Sequence, residues 1–342
     1  MKVRIKDIAE KAGVSSASVS NVLNGKGGVS ETTSKRILSI AREMGYAAPK
    51  ALPCARDYVR FVSFKRHGLV VMDTQFFAET IEALERQCHQ AGFKMVMSNI
   101  HMQKDADYFE RVRDICQEDC AGILLLATEM YPEDVDLFSH TKAPLVVVDS
   151  LFRNKRFNCV MMNNEEAGYM ATERFIKMGH TRIEHITSSV NLNNMKYRRL
   201  GYESAMQDAR LPCNENSIWR VTPTLEGAYR DMLVLIDKRR EDMPTAFFAA
   251  NDIIAAGCVR ALKERGYQMP ARISIIGMDD LAVCQITNPV LSTIRVLREA
   301  IARIAVSRLL DMMAQGASGA ILKTQVDVEF VDRQSVQNIR DM

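Results

Sequence analysis

The chain has 342 residues, which at roughly 150 residues per domain suggests about two domains with room for a small third. Hydrophobic residues make up 47% and charged residues 25%, enough apolar material for a packed core, so a disordered chain is excluded. The longest apolar runs, 122–127 and 143–148, fall short of the roughly 20 residues that a bilayer span takes, and the charged N-terminus has no apolar stretch behind it. A cytoplasmic protein with no membrane partner is expected. Eight cysteines are scattered without a Cys-x-x-Cys pair or a matching histidine spacing, so reduced thiols and no metal are expected.

The net charge of +3 hides an asymmetry. Residues 1–60 hold 11 basic and 5 acidic residues, a surplus of +6, and the remainder is slightly acidic. A basic head on a near-neutral body is the footprint of nucleic-acid binding, although charge alone also suits an anionic membrane surface.

Within that head, Ile5, Ile8, Ala9 and Ala12 recur at helical spacing and predict a helix over 5–12. Gly13 stands at its C-cap and Ser15 can N-cap a second helix. There Val19, Val22 and Leu23 face the first helix, while Ser16, Ala17, Ser18 and Asn21 point outward. Asn24 opens a glycine-rich turn, and Ser30 caps a third helix from Glu31 to about Met44. Two short helices on a tight glycine turn make a helix-turn-helix unit, whose small outward residues suit a major groove about 12 Å wide. The pattern alone fits a solvated three-helix cap equally well.

The stretch from Ile5 to Ser15, then Val19-Ser20-Asn21-Val22-Leu23-Asn24, Val29-Ser30-Glu31 with Thr33, and Gly45-Tyr46, resembles the head of the lac repressor (LacI/GalR-type) transcription regulators. The resemblance implies DNA contacts from Ser15, Ser16, Ala17, Ser18, Asn21 and Asn24. Family members usually carry a stronger base-reader, such as Arg, where Asn21 stands. Because Arg pairs with guanine and Asn with adenine, a shifted operator is expected. The family linker runs Tyr-x-Pro-x-x-x-Ala-x-x-Leu and puts its Leu into the minor groove. Here Pro53 follows Leu52 and disfavours a helix there. Leu52 is then no lever, or a helix starts at Pro53 with Tyr58 as the wedge, or the segment is a tether.

Beyond the linker, apolar runs at 93–98, 122–127, 145–149, 182–187, 246–250 and 273–277 alternate with helical patterns at 77–91, 166–178, 196–209, 253–265 and 298–314. Alternating strands and helices argue for α/β architecture with doubly wound parallel sheets. The resemblance continues through Met178-Gly179-His180, Arg198-x-x-Gly201-Tyr202, Ala250-Asn251-Asp252, the run 273–280, and Pro289-x-Leu291-Ser292-Thr293-Ile294. It implies two Rossmann-like subdomains of periplasmic-binding-protein type, with crossings near 162, 293 and 325. The expected organisation is a helix-turn-helix head at 1–47, a hinge linker at 48–59 and a body at 60–342. Within the body, one subdomain takes about 60–161 and 294–324, the other about 162–293 and 325–342.

Ligands of such sheets sit beyond the carboxyl ends of the strands, between the two halves. Matching motif positions implies effector contacts from Asp149, Arg198, Asn251 and Asp279, a set suited to a small polyhydroxylated ligand such as a sugar or sugar derivative. Phe76 or Phe77 can supply an aromatic face. Asn251 and Asp279 can equally cap the helices that follow them. Arg298, near a position often apolar in the family's pocket, hints at an anionic effector. No Gly-x-Gly-x-x-Gly or Gly-x-Ser-x-Gly is present and the six histidines lack metal spacing, so no catalytic residue and no cofactor are expected.

The reading that follows is a sequence-specific DNA-binding transcription regulator, a repressor, acting as a homodimer on a pseudo-palindromic operator under a sugar-like effector. The alternatives are control by a protein corepressor and a sugar-binding protein without DNA function.

Overall fold

The computed structural model describes residues 5–23, 29–44, 57–71, 75–315 and 319–340. At its N-terminus α1 (Ile5–Ala12), α2 (Ser16–Leu23) and α3 (Glu31–Glu43) enclose a small core of Ile8, Ala9, Ala12, Val19, Ile37 and Ala41. Each helix begins or ends where a cap predicts. Gly13 takes φ +62° after α1, and the Ser15 and Ser30 hydroxyls accept from Ser18 N (3.0 Å) and Thr33 N (3.3 Å). Arg36 Nη2 reaches across to donate to Ala12 O at 2.8 Å, tying α3 to the end of α1.

The body is built on two six-stranded sheets. The first contains β1 (Tyr58–Lys65), β2 (Lys94–His101), β3 (Gly122–Leu126), β4 (Leu145–Val148), β5 (Asn158–Met162) and β11 (Lys323–Val326), in the order β11-β5-β4-β3-β1-β2, all parallel. The second contains β6 (Ile183–Ser188), β7 (Ile218–Val221), β8 (Ala246–Ala249), β9 (Ser274–Asp279), β10 (Ser292–Val296) and β12 (Val328–Val331), in the order β12-β10-β9-β8-β6-β7. Its one antiparallel pair is β10 with β12. The first sheet is served by α4 (Gln75–Gln90), α5 (Tyr108–Gln117), α6 (Pro132–Asp136) and α12 (Arg298–Gln315). The second is served by α7 (Asn164–Lys177), α8 (Asn193–Asp208), α9 (Leu225–Lys238), α10 (Asp252–Glu264) and α11 (Val283–Ile286). The central strands are buried along their whole length, as parallel strands covered on both faces must be. Among the described residues no helix is long and apolar enough to cross a membrane.

The chain passes between the sheets after β5, after β10 and between β11 and β12, at residues 163, 297 and 327. Asn163 N donates to Val326 O at 2.7 Å, which sets the first and third connections side by side. The second crossing lies later than the expected 293, because β10 stays in the second sheet to Val296. The body also starts earlier than residue 60. Tyr58 opens β1, and its hydroxyl donates to Glu118 Oε1 at 2.9 Å. Tyr58 is therefore part of the body and not a wedge carried by the linker. Leu52 and Asn24 lie outside the described residues.

Helices α7 and α8 approach backbone to backbone. A Cβ on Gly168 would stand 2.0 Å from Arg198 O, and one on Gly201 would stand 1.9 Å from Glu165 O. That contact explains why a glycine sits three residues after Arg198. Adding a methyl must push the helices apart, so Gly201→Ala is expected to cost about 2–3 kcal/mol. Urea unfolding followed through Trp219, buried on β7, measures it. A change below about 0.5 kcal/mol, the range of a neutral surface substitution, would refute the close-approach account.

Candidate functional site

Asp149 follows β4 and Asp279 ends β9, so each stands at the carboxyl end of a strand in a different sheet. Both are held at positive φ, 61° and 113°, a conformation that costs a non-glycine residue on the order of 1–3 kcal/mol. Together with Arg198, Asn251, Phe76 and Phe77 they line one cavity between the subdomains, so all six residues singled out from the sequence come together. The walls also include Thr128, which follows β3, and Asn194, in the first turn of α8. Sequence reading missed both. Thr128 obeys the same strand-end rule as Asp149, whereas nothing local separates Asn194 from its neighbour Asn193.

Most of the polar groups are engaged with one another. Asp149 Oδ2 accepts from Thr128 Oγ1 at 2.6 Å, and Asn194 Nδ2 donates to Asp149 O (3.0 Å) and Oδ1 (3.2 Å). Arg198 is buried; its Nε donates to Asn164 Oδ1 at 2.8 Å and its Nη1 donates to Ala250 O. Asn251 caps α10, its Oδ1 accepting from Ile254 N at 2.8 Å. Asp279 does not cap a helix. Its Oδ1 is buried without a hydrogen bond and lies 3.8 Å from Arg198 Nη2, and Asn194 Oδ1 is likewise buried and unbonded. Two residues of the cavity wall thus hold buried acceptors without donors, a demand that a donor-rich ligand can meet. Phe76 and Phe77 meet edge to face at 5.1 Å and close the apolar side.

The cleft is shut. Free space amounts to about 30 Å³, room for a water or two. Asn194 bridges to Asp149, Ala282 N donates to Gln75 Oε1 at 2.9 Å, and Arg298 clamps both sides. The Arg298 guanidinium pairs with Glu79 Oε2 at 2.7 Å and donates to Asp279 O at 2.7 Å. Its charge is consumed in the clamp and it does not line the cavity, so the expected hint of an anionic effector is not supported. A further carboxylate sets the near wall. Glu129 is fully buried, accepting from His67 N (3.1 Å) and Gly68 N (2.7 Å) on one oxygen, and from Val70 N and Val71 N (both 2.9 Å) on the other. Burial opposes its charge, yet these N–H groups hold the carboxylate below its ordinary range.

The cavity carboxylates go the other way. Burial pushes Asp149 up to about 7, with Asp279 adding to the shift and Thr128, Arg198 and Asn194 opposing it. Burial likewise pushes Asp279 up to about 6 against Arg198 and Arg298, and Asp252, behind the cleft, up to about 7. A carboxyl raised above its ordinary 3.8 favours the folded, closed form at low pH and loses that advantage as pH rises through the folded value. The three carboxyls should therefore contribute a gain in stability as pH falls from about 8 to 5.5, set against the loss from His67, His180 and His185, whose pKa values burial lowers. Asp149→Asn/Asp279→Asn should reduce the carboxyl contribution to the part due to Asp252. Melting temperatures of both proteins across this range decide it; identical slopes would remove the two carboxyls from the account.

In the head, Ser15, Ser16 and Ala17 are exposed at the start of α2, and Ser18 is half-buried beside them. Asn21 belongs to the same helix. Ser15, Ser16 and Ala17 thus stand free of the small core.

Family models match both regions: that for bacterial regulatory proteins of the lacI family over residues 4–48, and that for the periplasmic binding protein-like domain over 172–336. The HTH-type transcriptional repressor PurR of Haemophilus influenzae (strain PittEE) is 30% identical over 341 residues, covering 98% of this chain and 99% of the relative. Among solved structures, a complex of the transcriptional regulator CelR with cellobiose aligns with a TM-score of 0.73 at 22% identity, over 98% of this chain and 100% of that one. The lac repressor dimer bound to operator and the anti-inducer ONPF aligns with a TM-score of 0.72 at 20% identity, over the same shares. Those structural likenesses speak for the fold. With a relative 30% identical along nearly its whole length, the chain belongs to the lacI family of bacterial regulatory proteins.

Proposed function

We propose that the protein represses transcription as a homodimer on a pseudo-palindromic operator, under control of a small, donor-rich effector of sugar type bound between the subdomains. In this reading the first turn of α2 enters the major groove, with Ser15, Ser16, Ala17, Ser18, Asn21 and Asn24 as contacts and Leu52 of the linker nearby. The relative named as a repressor supports the direction of control, and the neighbours titled with cellobiose and with operator support the two kinds of partner.

One observation carries the effector assignment: Asp279 Oδ1 and Asn194 Oδ1 are buried acceptors without donors, in a cleft made by both subdomains. Hydroxyl groups satisfy them and an anion does not. The space is too small for a sugar ring, so binding requires the subdomains to part, and the effector acts by favouring that parted state. The change reaches the heads through the first subdomain, whose β1 follows the linker.

Three measurements test this reading. Purified full-length protein, offered a random duplex library at physiological salt, should enrich an inverted repeat; absence of any enriched motif would overturn the operator assignment. Asn21→Arg should move the selected motif from adenine toward guanine at one position of each half-site, and an unchanged motif would remove Asn21 from base reading. Because Asp279 Oδ1 accepts no hydrogen bond within the protein, Asp279→Asn should weaken effector affinity about tenfold or more, while the variant's stability reflects both relief of a buried carboxyl and loss of the charge facing Arg198. Calorimetric titration with the sugar that releases the operator measures it, and unchanged affinity would take Asp279 out of the site.

A further inference from the structure

A cavity far roomier than the cleft lies elsewhere in the body. It lies at the opposite end of the first sheet, under the starts of β3, β4 and β5, and measures about 560 Å³. Phe138, Leu145, Phe157, Met312 and Met313 give it an apolar floor. Lys142, Arg156 and Arg308 stand around it, and no Asp or Glu is among its lining residues. Lys142 and Arg156 are exposed and form no ion pair among the described residues. Arg308 is fixed: its Nε donates to the buried Asn158 Oδ1 at 2.8 Å, an atom that also accepts from Leu322 N at 2.9 Å. In a body with a surplus of acidic residues, three cations around an apolar hollow are a local inversion of charge.

From this geometry we infer a second binding site, for a small amphipathic anion: an aromatic or acyl body carrying a carboxylate or phosphate. The volume falls in the range of small-molecule sites, the floor takes an apolar body, and the cations take one anionic group. A DNA backbone needs the cations but not the hollow. The location gives the site a route to the rest of the molecule. Met312 and Met313 lie near one end of α12, and Arg298, which clamps the cleft, lies at the other. Ala121 on the cavity wall donates from its N to Tyr58 O at 2.9 Å, at the point where the chain from the head enters the sheet.

The probe is anilinonaphthalene sulfonate, an aromatic anion that fluoresces in apolar surroundings, titrated into the full-length protein beside the uncharged phenylnaphthylamine. The wild type should bind the sulfonate saturably, one per chain, and about tenfold more tightly than the neutral compound. Lys142→Gln/Arg156→Gln, both exposed and unpaired and so safe for folding, should abolish that preference, while Asp279→Asn should leave it unchanged. No saturable binding, or a preference that survives the double substitution, overturns the site. So does a double variant that binds no less dye but sediments as a monomer where the wild type is a dimer, since the face would then belong to a contact between copies.

Discussion

A guanidinium cannot be buried without partners, and the partners of Arg198 tie the cleft together. Its Nε is held by Asn164 on α7 and its Nη1 by the carbonyl at the end of β8, while Nη2 stands near Asp279 at the end of β9. An isolated buried charge is expensive, so these elements must keep their places while Arg198 stays inside. The same helix meets α7 with no side chain between the backbones at Gly168 and Gly201. The position of α8, and hence of Asn194 on the cleft wall, follows from an ionic requirement at one residue and a steric one three residues later.

Burial pushes the Glu129, Asp149 and Asp279 carboxyls up alike, yet they end on opposite sides of the ordinary range, and the difference lies in backbone donors. Glu129 is as buried as Asp149, yet four N–H groups keep its charge. Asp279 has none on Oδ1 and Asp149 has a hydroxyl and an amide, so both rise. The molecule thus holds one fixed charge that shapes a loop and two soft ones that face the ligand space. Stability at the first and unsatisfied demand at the others are the usual division between scaffold and site.

Much of this was legible in the residues. The head declares itself because its signals are local: an apolar stripe, Gly13, and two serine caps fall within thirty residues. Strands 122–126, 145–148 and 246–249 were visible as unbroken apolar runs, since both of their faces are covered. The strand β1 was not, because a reading of the proline-bearing linker extended across Tyr58. β11 and β12 were missed for a different reason. They are four residues each, with exposed positions, and exist through pairing with β5 and β10, far away in sequence. Asp149, Asn251 and Asp279 were readable from the rule that ligands collect at strand ends together with the family resemblance, whereas Asn194, on a helix, was not. That Arg298 spends its charge on Glu79, and that Asp279 Oδ1 lacks a donor, depends on atoms brought together only by the fold.

The four backbone bonds to Glu129 bear on how the body can move. They lock the segment after β1 to the segment after β3, so the near wall of the cleft travels as one piece with its sheet. The far wall is locked to its own sheet through Arg198. Two such pieces joined by three connections, two of them side by side, can bend about a line through those connections. A bend has a lever arm, and the point where β1 begins lies at the far end of the sheet from the cleft. A small parting at the ligand space is therefore delivered there as a larger sideways displacement, with the direction fixed by covalent connectivity.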